Sequence, residues 1–469
     1  MDWLPGARAA VLGRLWGALA REPIIGITDH TVAGDTLSVH FGQRLVSGDR
    51  HAAAPFAPPP AGFAVSLDGR RYDDPGALVR ALDVDHAARF AAELDDSVTN
   101  LALARAAQPA PDGGPPAIGR PVPHAAFWEQ LVVDGHPLHP GCRTRLGMSA
   151  ADIRRYAPEH RPVVDLVTVA VPPARWLTTG AGLPPLLVLH PWQAERLGVH
   201  GPERPARPLM SLRTFAPLDD PRHHLKTAID AQLTSAVRTV SAASVRNGPP
   251  VTAFLAAIQD GVTILREPAA GIVLDNHGSP DRRRAMVLRE APPQGAIPLA
   301  ALAAPSPADG RPLAREIVTA GYGGDPVAYL ADLGRLLRSA LDLAAHGVGL
   351  EAHGQNLLVT LHRGRPHRLY YRDVGGIRIH ARTAKEHGLT LYGDLCTEDP
   401  DEPATTVRAA VGVVVGEQVA ALARETGAEP EALWRAALPD VDRGPWPVKA
   451  TTAMRLADDP LRPIWATLR

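Results

Sequence analysis

Apolar residues near the start of the chain fall at Val11, Leu12, Leu15, Trp16 and Leu19, the spacing of a helix with one apolar face. The pattern predicts helix over 8–20, and helix again over 76–106. Arg8, Arg14 and Arg21 break each apolar run, so the segment lacks the core of a secretory leader. Its apolar face is expected to dock on a domain rather than lie on a membrane surface. Beyond 124 the period shortens to two. Val163–Val171 and Leu186–Leu189 read as strands, and Gly271–Leu274 with Ala285–Arg289 reads as a hairpin. Helical period returns at PVAYLADLGRLLRSALDLAAHG, where Leu330, Leu333, Leu337 and Leu341 form a stripe and Gly347 is a stop. LLVTL and RLYYR then read as two short strands joined at Arg363-Gly364-Arg365-Pro366.

Two Pro-rich stretches, 107–124 and 292–313, divide these regions. They give three units: 1–124, 125–300 and 301–469. Such a division suits 469 residues, too many for one core. Lys and Arg number 49 against 50 Asp and Glu, so no global field favours nucleic acid or an anionic membrane, and any anion site must be local. The two cysteines, Cys142 and Cys396, are too few for a disulfide framework or a cysteine metal site. No run reaches the about 18 apolar residues that span a bilayer, and a cytoplasmic location is expected.

Chemistry concentrates in three places. Glu351-Ala352-His353-Gly354-Gln355-Asn356 follows the helix stop, and Arg372-Asp373 lies 17 positions beyond Asn356. A hairpin between them returns Asp373 to Asn356, and Glu351, Asn356 and Asp373 are hard oxygen ligands suited to Mg²⁺ bridging nucleotide phosphates. A polar turn that merely caps the helix and hairpin is the plainer alternative. Second, His136-Pro137 and His139-Pro140 are barred from helix by their prolines. With Arg143 and Arg145 they form a stiff loop able to cradle a polyanion. Zinc is a rival there, but no third ligand follows at metal spacing. Third, Ser211, Arg213, Thr214, Lys226 and Arg238 offer hydroxyls and cations for triphosphate or carboxylate. Lys226 falls in an alternating run, and Arg238 is expected on a helix capped by Thr234 or Ser235. The phosphate loop G-x-x-x-x-G-K-[ST], the G-x-S-x-G elbow and H-E-x-x-H do not occur in the sequence.

Taken in order, GHPLHPGCRTRLG, HPWQ at 190–193, SLRT at 211–214, HLK…LTSAVR at 224–238, VLRE at 287–290, EAHGQN at 351–356 and YRD at 371–373 resemble the NRPS-independent siderophore synthetases of the aerobactin-synthetase type. A weaker echo appears at Pro447–Ala450 and Arg455-Leu456. The resemblance implies an α+β multi-domain cradle: a thumb (1–124), a mainly antiparallel fingers domain binding acid and ATP phosphate (125–300), and a helical palm with the Mg-ATP loop (301–469). It implies that a polycarboxylic acid, citrate or a derivative, is adenylated with release of pyrophosphate. An amine or alcohol then displaces AMP. By motif, Ser211, Arg213, Thr214, Lys226, His353 and Gln355 look like ATP contacts. His136, His139, Arg143 and Arg238 look like acid contacts, Arg238 and His353 like catalytic groups, and Glu351, Asn356 and Asp373 like Mg²⁺ ligands. The implied partners are small-molecule substrates and, in assembly, a second copy in a homodimer. Two departures stand out. Arg143 occupies a position where the family pattern has Lys, and the chain is shorter than most members. The alternatives from other classes are a non-catalytic binder of carboxylate or nucleotide and a kinase-like phosphotransferase, which would leave ADP.

Overall fold

A computed structural model describes residues 3–258, 261–439 and 445–468. The predicted first helix forms as Leu4–Arg21, with Leu12, Leu15 and Trp16 wholly buried. It packs with helices Pro75–Leu82 and Ala87–Ala106 and a five-stranded antiparallel meander over Ile27–Tyr72. The apolar face therefore closes a core and is not left for a membrane. Ala450, Ala453 and Leu456, from the far end of the chain, belong to the same core.

The middle region carries an eight-stranded sheet. Its strands run in the order Trp176–Gly180, Ala269–Leu274, Pro280–Glu290, His223–Thr227, Thr214–Pro217, Glu203–Pro208, Val164–Ala170 and Leu186–Leu189, all antiparallel. Register decides what this sheet presents. Thr214 lies opposite Lys226, and His224 opposite Arg289. With side chains alternating at period two, His224 and Lys226 share a face with both partners. One face of the sheet thus carries a threonine, a lysine, a histidine and an arginine next to one another.

In the C-terminal region, Pro326–Asp342 is helical, capped by Asp325, whose carboxylate accepts from the Val327 and Ala328 N–H groups. Gly347 ends the following turn at φ 70°. Strands Leu357–His362 and Arg365–Tyr371 pair as a hairpin through the two residues Arg363-Gly364, at φ 51° and 76°, the left-handed pair that such a tight turn requires. Val262–Ile264 and Ile297–Pro298 join the same four-stranded sheet from within 125–300. The hairpin is therefore fixed to the middle region on both edges. Among the described residues one helix, Glu402–Thr426, has the length and apolar content to cross a membrane. Its window is 78% buried inside the protein, and Val407, Val411, Val414 and Leu422 build the largest core.

Candidate active site

The hairpin does return Asp373 to the neighbourhood of Asn356: the Arg372 N–H donates to the Asn356 carbonyl at 3.0 Å. Asp373 sits at φ 74°, a left-handed conformation that costs a non-glycine residue on the order of 1 kcal/mol. Tyr371 offsets part of this by donating its hydroxyl to the Asp373 carbonyl at 2.8 Å. The bend points the Asp373 carboxylate at the sheet face. Lys226 Nζ donates to both its oxygens at 2.8 and 2.9 Å, and Arg289 Nη2 lies 3.1 Å from Oδ2. The Lys226, Arg289 and Arg213 charges hold this carboxyl well below its ordinary value against the opposing effect of burial.

Glu351 is paired in the same manner. Its Oε1 accepts from Lys449 Nζ at 2.6 Å, and Lys449 and His353 keep the carboxyl low despite burial. Gly376 is required beside it: a Cβ there would stand 2.0 Å from Glu351 Oε2. Asn356 donates its amide to the Glu351 carbonyl at 3.1 Å and lies 3.4 Å from His353 Nε2. Burial lowers the His353 pKa, so its imidazole is neutral at pH 7. Gln355 presents its carbonyl to Arg372.

The Ser211–Thr214 segment is a strained turn, with Leu212 buried at φ 65°. Ser211 Oγ donates to Thr214 Oγ1 at 2.8 Å. Arg213 Nη1 donates to the carbonyls of Arg238 and Thr239, and burial brings its pKa down to about 10, with Arg238 and Arg289 adding to the effect. Arg238 is not helical as expected. It follows the short strand Ala236–Val237, its N–H donates to the Ala231 carbonyl, and Nε reaches the Leu233 carbonyl at 3.3 Å. The expected cap is absent because Thr234 takes φ 60° and Ser235 Oγ pairs instead with His139 Nε2 at 2.7 Å.

The His-Pro loop divides in two. His136 is half-buried, its Nδ1 accepts from the N–H groups of Leu138 and His139, and burial with the nearby His353 pushes its pKa to about 3. Its proton therefore sits on Nε2. His139 is buried, with both ring nitrogens engaged by Gly141 N–H and Ser235. Arg143, expected among the acid contacts, is occupied within the protein. Its Nε donates to the Val133 carbonyl at 2.7 Å, Nη2 to the Val132 carbonyl, and Nη1 lies 4.0 Å from buried Glu159. With its donors spent on the loop's own backbone and a structural carboxylate, Arg143 braces the loop.

Five further residues complete the cluster: Lys449, Arg289, Glu267 and, behind them, the Glu129–Arg372 pair. Lys226 and Glu267 also line a cavity of about 520 Å³ with Ser241, Asn247, Gly375 and Tyr392. For a divalent cation the donor set is two carboxylates and the Asn356 amide oxygen, with no third acidic or histidine ligand assembled among the described residues. That count fits Mg²⁺ held by one or two carboxylates plus substrate phosphates, and not an all-protein cage. In sum, the arrangement interleaves carboxylates with lysines and arginines on three elements, the chemistry of a site for a polyanion and its counterion.

A mixed sheet-and-helix fold that sets such a cluster at the junction of sheet and hairpin is a fold with a polyanion-type site. The IucA / IucC family model matches residues 124–182 and 185–304, and that of the ferric iron reductase FhuF-like transporters matches 333–438. Staphyloferrin A synthase of Staphylococcus aureus is 25% identical over 318 residues, 55% of this chain and 53% of that protein. The rhizobactin siderophore biosynthesis protein RhbC of Rhizobium meliloti is 27% identical over 385 residues, 63% of this chain and 62% of that protein. The matched part thus spans a little over half of each of these relatives. In fold, the petrobactin biosynthesis protein AsbB of Bacillus anthracis superposes with TM-score 0.79 at 17% identity, covering 100% of this chain and 95% of that one. ATP-bound aerobactin synthetase IucA of Klebsiella pneumoniae gives 0.71 at 19% identity, covering 99% and 98%. Residues 124–182 and 185–304 thus resemble the siderophore synthetases in sequence, and the chain shares the fold of AsbB and of aerobactin synthetase IucA.

Proposed function

We propose that this chain is an ATP-dependent ligase that adenylates a polycarboxylic acid, citrate or a derivative, and joins it to an amine or alcohol, releasing pyrophosphate and AMP. The observation that carries the reading is the pair of ion contacts Lys226–Asp373 and Lys449–Glu351. Between them lie Arg238 and neutral His353, each close enough to feel both carboxylates. Activating a carboxylate with a triphosphate brings two anions together, and needs fixed positive charge aimed where charge develops on the α-phosphate.

In this reading Lys226 and Arg213, with the Ser211 and Thr214 hydroxyls, bind nucleotide phosphate, and Gln355 lies alongside. Asp373, Glu351 and the Asn356 amide oxygen would hold Mg²⁺, which supplies neutralisation of phosphate charge. Lys226 and Lys449, given up by their carboxylates, are then free to donate to phosphate or substrate oxygen. Arg238 steadies the substrate carboxylate against the reacting phosphorus. The Nε2–H of His136 and the imidazole of His353 donate hydrogen bonds without adding charge. No protein nucleophile is needed. In a division into thumb, fingers and palm at 1–124, 125–300 and 301–469, this reading puts the site between the eight-stranded sheet and the hairpin Leu357–Tyr371.

The test is nucleotide analysis after incubation with ATP, Mg²⁺, citrate and a panel of diamines and amino alcohols. AMP with pyrophosphate supports the ligase. ADP as the main product would mark a phosphotransferase and overturn it, and nucleotide binding without turnover across the panel would mark a binder.

A further inference from the structure

Lys226, on one side of Asp373, lines the 520 Å³ cavity. Arg289, on the other, is 2% exposed, and its Nη2 is shared between Asp373 Oδ2 at 3.1 Å and Glu267 Oε1 at 2.8 Å, with Nε 3.3 Å from the same Glu267 oxygen. Glu267 is 3% exposed, its N–H donates to Thr252 Oγ1 at 3.1 Å, and its carboxylate lies against Gly248, where a Cβ would stand 2.6 Å from Oε2. The four charges form one row, Glu267–Arg289–Asp373–Lys226, with Arg289 buried within it and Glu267 and Lys226, at its two ends, both lining the cavity.

We propose that Glu267 and Arg289 are positioning residues that hold the Asp373 carboxylate in place while Lys226 changes partner to a nucleotide phosphate; this rests on the ligase reading above. The row is balanced, two cations against two anions. When Lys226 turns to phosphate, a lone Asp373 would be free to follow it or to rotate. Arg289 keeps it seated, and Glu267 keeps Arg289 from over-neutralising it, since part of the guanidinium's hydrogen bonding is committed to the deeper carboxylate. Asp373 thereby stays oriented and anionic enough to accept a divalent cation. Neither dyad residue touches the reacting atoms.

The experiment is calorimetric titration of the full chain with a non-hydrolysable ATP analogue, with and without Mg²⁺, which reads binding and not turnover. Wild type is expected to bind the analogue more tightly with Mg²⁺. Glu267→Gln removes the competing charge, so Arg289 closes on Asp373, and the Mg²⁺ enhancement should fall about tenfold while Mg²⁺-free binding is unchanged or tighter. Arg289→Lys, a point charge that cannot serve both carboxylates, should fall between the two. A Glu267→Gln protein with the wild-type enhancement, or one weakened equally with and without Mg²⁺, would overturn the dyad and leave the ligase reading standing. If Glu267→Gln does not fold, Gly248→Ala displaces the same carboxylate without changing charge, and an unaltered enhancement there is equally fatal. Wild type binding no nucleotide would overturn both.

Discussion

Glu129 and Arg372, 243 positions apart, form a buried two-point ion pair, Nη1 to Oε1 at 2.5 Å and Nη2 to Oε2 at 2.9 Å. The same glutamate accepts the Met210 N–H at 3.1 Å, and the same arginine donates twice to the Gln355 carbonyl. One pair therefore ties the turn before Ser211 to the loop that ends at Asn356. It sets the spacing between the proposed phosphate contacts and the proposed metal side.

Removing one partner of such a pair strands a buried charge. Arg372→Ala is expected to lose about 3–5 kcal/mol of stability, read by denaturant unfolding. Glu129→Gln, which keeps the shape and part of the hydrogen bonding, should lose less. A stability for Arg372→Ala within 1 kcal/mol of wild type, on the order of a surface substitution, would show that the pair is dispensable.

Arg143→Ala is expected to act on stability and not on acid recognition. Two backbone carbonyls lose their donor and Glu159 keeps only Arg145, a loss of about 1–3 kcal/mol. The KM values for acid and ATP should move together or not at all. A selective rise in the acid KM, with an unchanged melting temperature, would return Arg143 to the acid site.

Lys226→Met keeps the length of the side chain and removes its charge, while Arg289 still neutralises Asp373. The fold should survive. Losing a charge-assisted phosphate contact is expected to lower kcat/KM for ATP by roughly ten- to a hundredfold, measured as pyrophosphate release. Wild-type kinetics in the soluble variant would remove Lys226 from the nucleotide site.

Gly376→Ala tests the other ion pair by space alone. Its Cβ would occupy the position of the Glu351 carboxylate, so Glu351 must leave Lys449. Turnover should fall at least tenfold, on the order of one charge-assisted contact. Equal activity would show that Glu351 can move without consequence.

Burial pushes the Glu417 carboxyl up to about 8, although Arg14 and Arg424 pull it down. Between its ordinary value of about 4.5 and 8 the folded chain keeps a proton that the unfolded chain releases. Its contribution to stability is present below that window and is lost as pH rises through it. Glu417→Gln cannot ionise, so it should match wild type at about pH 5 and melt on the order of 1–3 °C higher at about pH 9. Identical melting curves at both pH values would show that the carboxyl is not desolvated.

Much of this was legible in the sequence where local chemistry rules. Helix 326–342, the hairpin that brings Asp373 back and the strand of Lys226 follow from periodicity and turn residues. Arg238 was misread because Ser235, an apparent cap, is claimed by His139 from far along the chain. Nothing in the motif of Arg143 shows that Val132, Val133 and Glu159 engage its donors. Glu267 and Glu129 carry no local signal, and Lys449 only the weak echo at Pro447–Ala450. Only the alternation in VLRE, which sets Arg289 on the same sheet face as its register partner His224, could have pointed to the buried dyad. Long-range pairing of charges is invisible until the sheet register is known.

The segment 445–468 runs back over the first helix and strands. Glu22 accepts the N–H groups of Thr452 and Ala453, Arg455 pairs with Glu93, and Lys449 reaches Glu351. During synthesis, then, the earliest-made core and the ion pair at Glu351 both wait for residues made more than 400 and nearly 100 positions later. A ribosome that stalls before residue 449 leaves a chain without Ala450, Ala453 and Leu456 of the first core, without Leu468 of the largest, and with Glu351 still lacking its lysine.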